Sequence, residues 1–182
     1  MQDASPNVDP LQLLRELEQR SLAVARGLPM QEETRDYWRG IGFTLGGLRL
    51  LAPLGQVEEI LTVPALTRVP LVKPWVLGIA NVRGNLLPVM DLQAFLGLGA
   101  TPRDDATRVV AIREGEFFSG LLVSSVSGLQ QIDSAERTDE LPEVAPSLRE
   151  FLAGAFRVED GLRPVFDFAR LAVHGEFMQA AA

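Results

Sequence analysis

One stretch decides the fold of this chain: Trp75-Val76-Leu77-Gly78-Ile79-Ala80-Asn81-Val82-Arg83-Gly84-Asn85-Leu86-Leu87-Pro88-Val89-Met90-Asp91-Leu92. Two short apolar runs, 77–82 and 86–90, flank a break at Arg83-Gly84-Asn85. Because glycine and asparagine tolerate positive φ, this break predicts a tight turn and the whole stretch a β-hairpin. An arginine on such a turn projects from a rigid platform, and positions of this kind bind partners more often than they pack.

Short strands and turn signals continue on both sides of this hairpin. Gly46-Gly47 is typical of a two-residue loop between strands over 41–45 and 48–52. Further strands are predicted over 57–61, 107–113, 117–123, 126–132, 155–158 and 162–167. Several short strands at close spacing favour a barrel or sandwich over a parallel sheet. The sequence therefore indicates an all-β domain with a few short helices.

The central hairpin has a shorter echo near the C-terminus. The pattern Gly84-x-x-x-Pro88-Val89-Met90-Asp91-Leu92 recurs as Gly161-x-x-Pro164-Val165-Phe166-Asp167-Phe168. In each copy a turn glycine precedes a strand with a proline, which is expected at an edge or a bulge. An aspartate follows where it can cap a helical turn. The repeated device predicts two similar small barrels.

Both ends of the chain are predicted to lie outside the β domain. Residues 1–38 form an N-terminal extension with an amphipathic helix over about 10–26, which begins with the helix-start pair Asp9-Pro10. This helix either docks on the domain or binds another chain. The domain is expected over 39–174, and residues 175–182 are expected to fray as a tail.

Composition limits the classes of function that the chain can serve. It contains no cysteine, which excludes disulfides, thiolate nucleophiles and cysteine-ligated metals. The net charge of −7 argues against nucleic acid as a partner, because phosphate binding depends on clustered Lys and Arg. A membrane span of about 18 apolar residues and a secretory signal pattern are both lacking. We therefore expect a cytoplasmic protein without direct membrane insertion.

No group of residues predicts an active site. The single histidine, His174, lies near the predicted tail, without the partners of a catalytic triad or metal site. Glu58-Glu59 would point to opposite faces of a strand and cannot act as an acid–base pair. Asp104-Asp105 lies in a polar loop, and no phosphate-binding glycine motif is present. The chain is expected to be non-enzymatic and to use no cofactor or metal.

Arg83 is the position where a functional interpretation outweighs a structural one. Asn-Gly or Asp-Gly suits a two-residue hairpin loop better. Arginine instead offers a planar fork of five donors for carboxylates or carbonyl groups. From the residues alone, alternatives stay open: a small β-barrel that binds a metabolite, a regulatory module without a kinase partner, or an enzyme with buried carboxylates such as Asp91.

The central hairpin also carries a family resemblance. The signature hairpin of CheW-like chemotaxis coupling domains reads G-x-x-N-[LV]-R-G-x-[LV]-[LIV]-P-[VI]-x-D-L. The chain resembles it at Gly78, Asn81, Val82, Arg83, Gly84, Pro88, Val89, Asp91 and Leu92. The resemblance covers about 40–173. Within the family the chain is most similar to the PilI-type adaptors of type IV pilus, or twitching-motility, chemosensory systems.

The resemblance implies two intertwined, five-stranded SH3-like β-barrels without catalytic activity. Members of the family couple membrane chemoreceptors to a CheA-type histidine kinase. They bind the kinase's own CheW-like domain and the cytoplasmic helical tips of the receptors, and are thereby recruited to receptor arrays. A groove between the barrels, rimmed by Arg83 and Glu59, would accept an amphipathic receptor helix.

The resemblance also implies roles for individual residues. Contacts with protein partners are expected at Val57, Glu59, Gly78 and Arg83. The hairpin itself would be shaped by Asn81, Gly84, Pro88 and Asp91.

Overall fold

The computed structural model describes residues 36–179, so the predicted helix over 10–26 lies outside the described residues. The strands are β1 (Tyr37–Leu45), β2 (Leu48–Pro53), β3 (Val57–Thr62), β4 (Val76–Val82), β5 (Asn85–Asp91), β6 (Arg108–Glu114), β7 (Phe117–Val123), β8 (Ser125–Asp133), β9 (Arg137–Thr138), β10 (Leu152–Val158) and β11 (Gly161–Phe166). The short α-helices are α1 (Leu92–Phe95), α2 (Pro146–Arg149), α3 (Phe168–Ala172) and α4 (Gly175–Met178).

These strands form two sheets. The first has the strand order β8-β1-β2-β11-β10-β9 and the second the order β3-β6-β7-β5-β4. The chain begins in the first sheet, builds the whole second sheet from β3 to β7, and then returns to the first. This exchange confirms the predicted mostly β, intertwined arrangement of two units. The first sheet has six strands rather than the expected five, because the two-residue β9 pairs with β10.

The echo in the sequence is a structural repeat. In the first copy β4 and β5 pair antiparallel, and β5 then pairs in parallel with β7 from Val89 onward. In the second copy β10 and β11 pair antiparallel, and Val165 pairs in parallel with Leu51 of β2. Pro88 and Pro164 each precede the parallel pairing by one residue. Both prolines lie on interior strands rather than at an edge. The strand opposite each shifts register beside it, between Val76 and Gly78 and between Leu152 and Ala155, so the expected alternative of a bulge applies.

Each copy of the repeat ends in a helix capped by aspartate. Asp91 Oδ1 accepts a hydrogen bond from the N–H of Ala94 at 3.1 Å and opens α1. Asp167 Oδ1 accepts from the N–H of Ala169 at 3.0 Å and opens α3. Capping of this kind satisfies a backbone donor that the first helical turn cannot pair internally.

The C-terminal segment belongs to the core, so the expectation of a frayed tail is wrong for residues 175–179. The ring of Phe177 in α4 is fully buried and stacks on Trp75, with 5.5 Å between ring centroids. Phe95 and Phe117 pack on the same ring at 4.9 and 5.9 Å. The packing of one aromatic ring against three others stabilises this segment by more than the conformational entropy that is lost when it becomes ordered.

Candidate functional site

The tip of the central hairpin is a two-residue loop made of Arg83 and Gly84, since Val82 pairs directly with Asn85. Both loop residues have positive φ, +51° for Arg83 and +85° for Gly84, as a type I′ turn requires. Asn81 Oδ1 accepts a hydrogen bond from the N–H of Gly84 at 2.9 Å and so closes the turn. For a residue with a Cβ this conformation costs about 1–2 kcal/mol. Arginine therefore occupies the tip at an energetic cost.

An ion pair joins the hairpin tip to β3. Arg83 Nη2 lies 2.6 Å from Glu59 Oε1. Strands β3 and β4 are the two ends of the second sheet's strand order, so the pair connects its edges. The Arg83 side chain keeps 78% of its surface exposed and Glu59 keeps 29%. A pair this exposed contributes about 0.2–1 kcal/mol to stability. Most of the guanidinium remains accessible to a partner.

The structure places the other two expected contact residues differently. Gly78 is buried in β4 with φ +142°, and a Cβ there would lie 2.4 Å from the carbonyl oxygen of Thr67. Val57 is half-buried at the start of β3 and packs against the main core. The structure thus brings Arg83 and Glu59 together at the surface, whereas Gly78 is buried and Val57 packs half-buried against the core.

Apolar side chains are exposed on the same two elements as the ion pair. Leu86, just after the turn, is 68% exposed, and Ile60, next to Glu59 in β3, is 37% exposed. Ile60 points to the face of β3 opposite to Glu59, as neighbouring strand residues do, so each of the two is a single exposed apolar side chain. Leu86 could not be predicted as exposed, because strand periodicity alone does not say which face of β5 is covered.

The carboxylates of Glu58, Glu59 and Asp104 each have a separate partner. Glu58 Oε2 lies 3.5 Å from Arg113 Nε, whereas Glu59 pairs with Arg83. Asp104 accepts hydrogen bonds from the N–H groups of Ala106 and Thr107 at 2.8 and 3.0 Å. The bond from Ala106 is the largest cause of a pKa below the ordinary value for Asp104.

The side chain of the single histidine, His174, packs against aromatic rings. Its ring lies edge-on to Phe95 and Phe151, with centroids 5.7 and 5.2 Å away. His174 Nε2 is 3.9 Å from Glu150 Oε2, and Nδ1 is buried without a hydrogen-bond partner in the described structure. Across residues 36–179, we find no group of three or more acidic or histidine side chains arranged to hold a metal ion.

The helices between residues 36 and 179 are all too short or too polar to cross a lipid bilayer.

Comparison with known proteins identifies the family. The protein-family model described as "CheW-like domain" matches residues 39–176 of the sequence. The chain belongs to the CheW-like family. Protein PilI of Pseudomonas aeruginosa is 41% identical over 172 residues, which cover 94% of this chain and 96% of PilI. Chemotaxis protein CheW of Helicobacter pylori is 27% identical over 149 residues, or 82% of this chain and 89% of that protein.

A solved structure shows the same fold. The crystal structure of scaffolding protein TtCheW from Thermoanaerobacter tengcongensis matches with a TM-score of 0.63 at 22% identity. The match covers 72% of this chain and 89% of that chain. The CheW-like family and the similarity to PilI that the central hairpin predicted are both confirmed.

Proposed function

We propose that this chain is a non-catalytic adaptor that couples membrane chemoreceptors to a CheA-type histidine kinase. It would act in the cytoplasm, recruited to receptor arrays, in a chemosensory system of the type IV pilus or twitching-motility kind. Membership of the CheW-like family and the 41% identity to PilI support this role. The expected partners are the kinase's CheW-like domain and the cytoplasmic tip of a chemoreceptor.

The observation that carries the proposal is the exposed guanidinium of Arg83. Asparagine would fit the positive φ of this turn at lower cost, and the ion pair with Glu59 recovers only part of that cost. The arginine is therefore best explained by what it binds outside the chain. A guanidinium with five donors, fixed by a tight turn and a neighbouring carboxylate, suits carbonyls and carboxylates of a protein surface.

The remaining contact residues fit this surface in supporting positions. Val57 is the first residue of β3, the strand that carries Glu59. Gly78 leaves room for the loop before β4 to lie against β4. We propose that both residues act on partner binding by placing Arg83 and Glu59.

A role without catalysis is supported by the contacts of the titratable side chains, which have structural partners. Asp91 caps α1 and also accepts hydrogen bonds from the backbone and hydroxyl of Thr101, at 2.9 and 2.6 Å. Glu58 and Glu59 are held by different arginines, and His174 packs between two phenylalanine rings. The net charge of −7 supports protein rather than nucleic-acid partners.

The test is calorimetric titration of the full chain against two partners: the kinase's CheW-like domain and a helical fragment of the receptor tip. Arg83→Ala is expected to weaken at least one interaction by about 2 kcal/mol with little change in melting temperature. Arg149→Ala is the matched control, because Arg149 is an exposed arginine on α2, away from the hairpin. It is expected to bind as the unmodified chain does.

One result would contradict the adaptor role, and another would contradict only the proposed site. If the unmodified chain binds neither partner, the adaptor role fails, and a ligand-binding or regulatory β-domain becomes the leading alternative. If the chain binds but Arg83→Ala and Arg149→Ala behave alike, the adaptor role survives without the proposed site.

A further inference from the structure

The loop between β3 and β4 forms one wall of a groove whose charge is opposite to that of the chain. The groove has a volume of about 470 Å³, and its ten lining residues are all apolar or basic. The basic ones are Arg68, Lys73 and Arg103, and the apolar ones include Val69 and Leu77. In a chain with a net charge of −7, such a surface attracts anionic groups.

These three cations are not used in ion pairs within the described structure. Arg68 and Arg103 are exposed and Lys73 is half-buried, yet none lies within salt-bridge distance of a carboxylate of residues 36–179. Six other arginines of residues 36–179 do form such pairs, and Arg39, Arg108, Arg137 and Arg149 do not. The donors of the groove are therefore available for carboxylates of another molecule.

The repeat shows that the fold does not require these positive charges. Thr67 bridges to β4 and Thr138 to β10, each opposite the residue that pairs with the proline of its hairpin. The next residue is Arg68 in the first copy and Asp139 in the second. One structural position thus carries opposite charges in the two copies. The repeat therefore does not need a positive charge at the position of Arg68.

Leu71 adds an apolar anchor at the edge of the groove. It lies between the lining residues Val69 and Val72, is 84% exposed, and has φ +57°. The left-handed backbone conformation is unfavourable for leucine, and so is the contact of its apolar side chain with water. Strain and exposure combined at one residue point to a functional surface.

Hydrogen bonds hold both walls of the groove in place. On one side Thr67 and Ile79 exchange two backbone hydrogen bonds of 2.9 Å. On the other, the buried Asp91 accepts from the backbone and hydroxyl of Thr101, two residues before Arg103. A surface that is already ordered loses little conformational entropy when a partner binds.

We infer that this groove binds an acidic segment of a partner protein that also carries apolar side chains. Its carboxylates pair with Arg68, Lys73 and Arg103, and its apolar side chains pack on Leu71 and the groove floor. Leu77 lines the groove at the start of β4, and the tip of the hairpin lies roughly 20 Å further along the chain in that direction. The groove is thus a second contact surface, beyond the one proposed around Arg83, and it does not rest on that proposal.

The test uses a fluorescein-labelled peptide of alternating glutamate and leucine, titrated with the full chain and followed by anisotropy. Replacing Arg68, Lys73 and Arg103 together by Gln is expected to weaken binding at least about tenfold, because three charge pairs are lost. Arg149→Gln removes an exposed arginine outside the groove and is expected to change nothing. Binding is also expected to weaken as salt rises from about 50 mM to about 500 mM.

Several results would overturn the inference. Equal binding by the triple variant, or by a peptide with glutamine in place of glutamate, would exclude charge recognition in the groove. If inorganic phosphate or phosphatidylserine vesicles bind in a manner that the triple variant abolishes while the peptide does not bind, the ligand is not a protein segment. If sedimentation shows self-association that the triple variant abolishes, the groove is occupied by a second copy. Unchanged melting of the triple variant confirms that these comparisons concern binding.

Discussion

Gly78 and Thr67 approach so closely that a Cβ on Gly78 would lie 2.4 Å from the Thr67 carbonyl oxygen. The N–H of Ile79 donates to that same oxygen at 2.9 Å. The loop before β4 therefore rests directly on the strand, at a place where only glycine leaves room for it. With φ +142°, Gly78 also adopts a conformation that other residues rarely reach.

Replacing Gly78 by alanine is expected to destabilise the fold by roughly 3 kcal/mol, because a backbone clash is added to an unfavourable φ. Urea denaturation measures this difference. Gly55→Ala is the matched control: a Cβ there meets open space and φ is not positive, so we expect a change within about 0.5 kcal/mol. Equal stability of the two variants would mean that the loop can move off β4 without cost.

Replacing Arg83 by asparagine separates the stability of the turn from its function. Asparagine tolerates positive φ and precedes Gly84, so the variant gains the preferred Asn-Gly turn while it loses the exposed pair with Glu59. The free energy of unfolding is expected to stay within about 1 kcal/mol or to rise. Partner binding is expected to fall by about 2 kcal/mol, as for Arg83→Ala.

This prediction is checked by denaturation and calorimetry on the same preparation. Asn85→Ala changes an exposed neighbour of the turn without touching the guanidinium, so it should retain binding. If the Arg83→Asn variant is stable and binds its partners normally, the arginine at this turn is not needed for partner binding.

The central hairpin could be predicted from sequence because its signals are local. The break at Arg83-Gly84-Asn85 predicts the turn, and the two apolar runs beside it predict the strands; the structure narrows the loop to Arg83 and Gly84. Asp91 lies where a helix needs a cap, and the structure places it there. Each of these features depends on residues a few positions apart, which is the range over which turn and capping rules operate.

The loop over 63–75 could not be predicted in this way. Its position on β4 depends on the contact between Thr67 and Ile79, and on the missing side chain of Gly78. A glycine in a strand indicates that another backbone segment or a ligand approaches closely, but the sequence does not identify that group. The basic groove depends on the fold, because Arg103 lies thirty residues beyond Lys73 in the chain yet lines the same groove.

A tertiary contact also replaces one local signal. The spacing of Ser147 and Glu150 predicts a capping box, yet α2 begins after Ala145 and has no side-chain cap. The hydroxyl of Ser147 instead donates to the carbonyl oxygen of Leu96 at 2.7 Å, beyond the end of α1. A hydroxyl can accept from an N–H group at a helix N-terminus or donate to a carbonyl oxygen near a helix C-terminus, and Ser147 does the second.

The depressed pKa of Asp104 predicts a dependence of stability on pH. The hydrogen bond from Ala106 lowers this pKa below its ordinary value of 3.8 in the folded chain. The ionised form thus adds stability that is fully present above pH 3.8 and is lost as pH falls through the lower, folded-state value. Asp104→Asn is expected to melt below the unmodified chain at neutral pH, with the difference shrinking in acid.

Thermal melts at a series of pH values test this expectation. Asp105→Asn is the matched control, because Asp105 is an exposed neighbour whose carboxylate makes no hydrogen bond within residues 36–179. A pH-independent difference between Asp104→Asn and the unmodified chain would mean that the turn gains its stability from shape rather than charge.

The packing of Phe177 implies that the C-terminal segment stabilises the start of the central hairpin. Phe177 stacks on Trp75, whose carbonyl oxygen accepts a hydrogen bond from the N–H of Asp91 at 2.8 Å. Phe177→Ala is expected to cost about 3–5 kcal/mol, as for other buried phenylalanines, whereas the half-exposed Met178 tolerates alanine within about 0.5 kcal/mol. Denaturation of both variants decides the matter: a cost below about 1 kcal/mol for Phe177→Ala would place this segment outside the folding core.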